Sequence, residues 1–100
     1  MGVRSRSPLI TGNQYGLAVS TIVVTLTVPN AANCGEIYVR TASVVFTRST
    51  TDPTATLGFQ ANAGDIIVLN SRAELDRFEV IRQGTADASL DIEYFTDISG

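Results

Sequence analysis

The sequence predicts an all-β domain, a single antiparallel β-sandwich (jelly-roll-like) or a β-barrel, with an extended N-terminal arm. Three observations carry this. Val, Ile and Thr are abundant while good helix formers occur in no long periodic run, and branched side chains pack well on a pleated surface. Apolar and polar residues alternate at period two in several short runs, the spacing of half-buried strands. Turns separate those runs with no crossover helix between them, which selects antiparallel pairing. At 100 residues and 44% apolar content, the chain is one domain able to close a core without staples.

Residues 1–12 read as the arm, with Arg4 and Arg6 among serines, then Pro8 and Gly12, and with Leu9 and Ile10 as a small apolar anchor. Such a segment is normally disordered unless tied down, so it calls for a holder, either a neighbouring chain or an edge of its own fold. Residues 13–100 form the sandwich domain. Within it, residues 16–28 are the clearest strand, with Ile22, Val24, Leu26 and Val28 on the core face and Thr21, Val23, Thr25 and Thr27 on the other. Pro29 lacks a ladder donor and ends the run. Residues 30–35 are a loop. Residues 36–41 and 43–48, carrying Ile37, Val39, Val44 and Phe46, are two strands or one long bent strand.

Residues 49–54 have the composition of an exposed loop in which Asp52-Pro53 starts a turn. Residues 56–61 and 65–70 flank Asn62-Ala63-Gly64, which signals a hairpin. Residues 71–75 fit one helical turn, with Ser71 as N-cap and Glu74 completing a capping box, or a β-turn using the same polar groups. Residues 77–82 return to strand with Phe78 and Val80 on one face. The last strand, residues 89–96, directs Leu90, Ile92 and Tyr94 inward and Asp91 and Glu93 outward. If these two strands pair antiparallel, Arg77 faces Glu93. An exposed cross-strand ion pair contributes only about 0.2–1 kcal/mol, so it would fix register more than stability.

The chemistry is mostly excluded. Histidine is absent and Cys34 is the only cysteine. This removes Ser-His-Asp and Cys-His catalysis, a structural zinc site and any internal disulfide. The lone thiol suits a reducing compartment and reads as a small, partly buried residue. Asp91 and Glu93, or Glu74 and Asp76, are the paired carboxylates available for acid/base work, but the first pair falls on a solvated strand face where nothing separates their pKa values. No calcium-loop, phosphate-loop or dinucleotide fingerprint occurs. The expectation is a non-enzymatic protein with no cofactor and no metal. Net charge is −3, and the seven cations are all arginines without a basic patch, which argues against nucleic acid. The apolar runs are too short to span a bilayer, and no secretory h-region is present near the start. Among the aromatics, Tyr15 and Tyr38 are the candidates for stacking on sugar faces, and most of the others fall on inward faces.

Residues 53–95 carry the one specific likeness: PTATLGFQANAGDIIVLNSRAELDRFEVIRQGTADASLDIEYF. The order of a Thr-rich loop, a strand, an Ala-Asn-Ala-Gly-Asp turn, an apolar strand, a Ser-Arg-Ala-Glu-Leu turn and two further strands resembles small β-proteins of tailed-bacteriophage virions. Many of these are cement, or decoration, proteins. The resemblance implies a virion structural protein assembled in the host cytoplasm, binding the major capsid protein on the outer capsid surface as a dimer or trimer. Its alternatives are a tail, neck or fibre-associated module, or a carbohydrate- or receptor-binding sandwich. A clasp onto a neighbouring subunit through Arg4, Arg6, Leu9 and Ile10 is the partner contact expected from the arm.

Overall fold

The computed structural model describes residues 8–97. Seven strands and one short helix follow in order: β1 (Pro8–Val19), β2 (Cys34–Arg40), β3 (Val44–Thr47), β4 (Phe59–Ala61), β5 (Ile66–Leu69), α1 (Arg72–Arg77), β6 (Glu79–Arg82) and β7 (Ala88–Asp97). They form two antiparallel sheets, β1-β7-β2-β5 and β4-β3-β6. The all-β sandwich expected from the alternation is what the chain builds.

Period-two patterning decides which side chains meet between the sheets. Ile37 and Val39 of β2, Leu69 of β5 and Leu90, Ile92 and Tyr94 of β7 point inward and are buried, opposite Val44, Phe46 and Val80 of the smaller sheet. Each fully buried side chain of this size contributes about 1.5–3 kcal/mol. Tyr94 buries its ring and keeps its hydroxyl satisfied, donating to Gln14 Oε1 at 2.8 Å. Every residue of β3 is buried. Its outward Val45 is covered by the loop returning to β4, where Gly58 has φ +127° and a Cβ would stand 2.7 Å from Val45 Cγ1. Only glycine fits that crossing.

Strand identities match the sequence reading better than strand pairing does. The run at residues 16–28 is not one strand. Its first part belongs to β1, and at Ser20 the chain leaves the larger sheet and runs beside β6. There Arg82 N donates to Ser20 O (2.9 Å), and Val24 and Val80 exchange backbone bonds at 3.0 and 3.1 Å. Val24, Leu26 and Val28 still pack against the core, while Ile22 is exposed. The alternation was a true signal of burial, and the ladder simply changes sheets midway.

Asn62-Ala63-Gly64 is likewise a corner rather than a hairpin, because β4 pairs with β3 and β5 pairs with β2. The turn is real: Asp65 N donates to Asn62 O (2.9 Å), and Gly64 takes φ +96°. The final pairing also differs. β6 lies against β3 and β7 lies between β1 and β2, so Arg77 ends α1 instead of facing Glu93. The helical turn at residues 71–75 does form, with Ser71 Oγ accepting from Glu74 N at 3.2 Å. Glu74 does not close the expected box, since its carboxylate accepts from Asn70 N one residue earlier (2.7 Å). The Ser71 bond satisfies a backbone donor that the first turn leaves open, and the Glu74 bond fixes the chain just ahead of the cap.

Candidate functional site

Residues 8–12, assigned to the arm, are the opening part of β1. Leu9 lies opposite Thr96 and Ile10 opposite Phe95 on β7, and both side chains are exposed. Arg4 and Arg6 lie outside the described residues. The partner contacts expected from the arm are therefore represented here by two apolar side chains on an edge strand.

A larger apolar surface lies on the side where β4 and β5 end their respective sheets. Phe59 projects there because its inward-facing position on β4 lies beyond the cover of the other sheet. Beside it stand Ile66 and Val68, the outward residues of β5. Phe59 is 59% exposed, Ile66 53% and Val68 46%. A shallow groove of about 380 Å³ runs between the two strands, with Arg48 and Asp65 at its margins. Arg48 lies over the Phe59 ring at 5.5 Å, while the ring continues inward to Phe46 at 5.8 Å and from there to Phe78 at 5.6 Å. Expecting most aromatics to face the core missed Phe59. Its alternation is correct, but a periodic pattern does not tell that a sheet ends one strand away.

Over β1, β7 and β2, away from the apolar residues of β5, the outer face of the larger sheet is polar. Arg40 pairs with Asp91 at 2.8 Å, Gly16 N donates to the other Asp91 oxygen at 2.9 Å, and Tyr15 donates to Glu93 at 2.9 Å. Tyr38 donates to Glu36 at 3.1 Å. The Arg40 bond and then the Gly16 amide hold the Asp91 carboxyl below its usual range. Hydrogen bonds to Glu93 and Glu36 push the Tyr15 and Tyr38 phenols up. An ionised, ion-paired Asp91 is the wrong state for a general acid.

Two further titratable groups belong to the scaffold. Burial pushes the Tyr94 phenol up to about 12. Glu79 on β6 is raised above the ordinary carboxyl range, first by a hydrogen bond with the Asp52 carboxyl of the covering loop and then by desolvation. Among the described residues, no group of three or more Cys, Asp or Glu side chains is arranged to hold a metal ion, and no helix is long and apolar enough to cross a membrane. Compared with protein-family models, curated proteins and solved structures, the chain matches none.

Proposed function

We propose that this protein is a non-enzymatic structural component of a virion that binds the outer surface of an assembled bacteriophage capsid and stabilises it. The observation that carries a protein-binding role is the apolar strip of Phe59, Ile66 and Val68 along two edge strands. Edge strands offer unpaired backbone groups to another chain, and exposed apolar side chains beside them supply area that gains by leaving water. The resemblance of residues 53–95 to virion cement proteins supplies the identity of the partner, the major capsid protein, and the homo-oligomeric state.

The mechanism is linkage. A protein that binds only the closed shell lowers the free energy of that shell by an amount that grows with its concentration over Kd. No bond is made or broken in the process. The arm adds a second contact in this reading, with Arg4 and Arg6 meeting acidic groups on a neighbouring subunit.

The test is co-sedimentation with intact capsids, together with the temperature at which those capsids open. Wild-type protein is expected to pellet with shells and raise that temperature. Phe59→Asp combined with Val68→Asp is expected to abolish both effects while leaving the isolated domain folded, because both side chains are already substantially exposed. A deletion aimed at the arm should stop at Ser7, since Pro8 begins β1. If the doubly charged variant protects shells as well as wild type does, the strip is not the contact. If the wild-type protein neither pellets with shells nor shifts their opening, the virion reading fails.

A further inference from the structure

The outer face of the larger sheet carries a second feature that the capsid reading does not use. β7 lies between β1 and β2, so Tyr15 and Tyr38 stand on strands to either side of it, roughly 9–10 Å apart at the usual strand spacing. Asp91, directly opposite Tyr38, and Glu93 form the floor between them. Arg40 and the Gly64 corner close one end, and the groove holds about 430 Å³, within the roughly 300–1,000 Å³ range of small-ligand sites.

The sequence builds this groove deliberately. The β1–β7 register shifts between Gln14 and Leu17, and Gly16 takes φ +70°. A bulge of this kind re-aims the side chains around it. Tyr15 is thrown outward, 60% exposed, and the Gly16 amide turns onto Asp91. Both tyrosine hydroxyls are tied to carboxylates, so the rings are held in place before any ligand arrives.

The chemistry of the lining selects a ligand class. Glu36, Asp91 and Glu93 outnumber Arg40 on this face, which repels anions. The Arg40–Asp91 pair is internally neutralised, which removes the strongest attraction for a cation. The floor is too polar for a purely apolar guest. What remains is a donor, the exposed Arg40 guanidinium, and acceptors, from Glu93 and Asp91, in a groove that two tyrosine rings also line. A hydroxyl both donates and accepts, and the C–H face of a sugar ring packs on an aromatic ring. We propose that this groove binds a neutral saccharide, with Tyr15 and Tyr38 as stacking platforms and Arg40, Asp91 and Glu93 as hydroxyl partners.

The experiment is amide chemical-shift titration of the isotopically labelled full chain with the methyl glycosides of glucose, galactose and mannose and with N-acetylglucosamine. Glucuronate serves as the anionic control and agmatine as the cationic one. Saturable shifts at Gly16, Tyr38, Arg40 and Glu93 are expected with at least one neutral sugar, and none with glucuronate. Tyr38→Ala should weaken that binding about ten-fold, in line with an aromatic contact near the upper end of its usual worth. Tyr15→Trp should retain it, and the same spectra report whether each variant is folded. The proposal is overturned if no neutral sugar shifts those amides, if agmatine alone does, or if Tyr15→Ala and Tyr38→Ala bind as tightly as wild type. These variants leave Phe59 and Val68 intact, so this outcome and that of the capsid experiment are read separately.

Discussion

The two long sides of the sandwich are built differently. On one side the chain itself crosses between the sheets: β1 leaves the larger sheet at Ser20, and its continuation runs beside β6 through the backbone bonds of Val24 with Val80. Pro29, at the end of that crossing, lies close over Gly12, where a Cβ would come within 2.9 Å of Pro29 Cγ. On the other side β4 and β5 are both sheet edges, joined only by the corner at residues 62–65, and Phe59, Ile66 and Val68 face solvent. The same apolar composition therefore does two jobs. Where the chain covers it, it holds the fold, and where the chain stops, it is available to another molecule.

The sharpest way to break this contrast is to cut at the two ends of the aromatic row. Phe78 is fully buried and Phe59 is mostly exposed, yet both pack on Phe46. Phe78→Ala is expected to cost about 3–5 kcal/mol by cavity formation, read by denaturant or thermal unfolding, whereas Phe59→Ala should stay below about 1 kcal/mol because little of its area is lost from a dry interior. Equal costs would mean that the open side is part of the core after all.

A smaller effect is expected at Arg72, which staples the end of the crossing segment. Its guanidinium donates to the carbonyls of Pro29, Asn30 and Ala32 at 2.7, 3.2 and 3.0 Å and pairs with Asp76 at 3.1 Å. Arg72→Ala removes charge-assisted bonds and should lower stability by about 2 kcal/mol. Hydrogen exchange should show the loss first in residues 24–33. Arg72→Lys should recover only part of it, because an ammonium does not reproduce the planar fork.

The smallest expected effect is a pH dependence at the loop covering β3. The folded-state pKa of Glu79 is raised, so the stability it contributes is fully present below its unfolded value and is lost as pH rises through the folded one. Once its proton is lost, Glu79 places a charge beside the Asp52 carboxyl in a partly desolvated setting. Asp52→Asn should therefore melt higher than wild type at pH 7, with the gap closing as pH falls below the ordinary carboxyl range. A gap that widens on acidification would reverse the assignment.

Side-chain alternation made most of this fold legible in the sequence. Leu90, Ile92 and Tyr94 are buried and Asp91 and Glu93 face outward, as period two requires, and Ser71 caps its helix. Pairing was not legible in the same way. A turn such as Asn62–Asp65 has the same local chemistry whether the strands it joins lie side by side or in different sheets. That choice depends on what fills the space between sheets, which involves residues far apart in sequence. For the same reason the strip around Phe59 and the groove around Tyr15 were only partly visible. Tyr15 and Tyr38 stood out by residue type, but their placement across β7 from one another is set by a strand order that no local motif encodes.

The row of packed rings also bears on how quickly and tightly a surface can be recognised. Phe59 is braced from beneath by Phe46 and from above by Arg48, so an incoming partner meets a ring already held in place. Little rotamer freedom remains to be lost when it is covered, and that is the term that most often erodes the gain from contact area. A projecting residue rooted in the interior is a rigid peg, and a peg of this kind favours a complementary socket over a general apolar film.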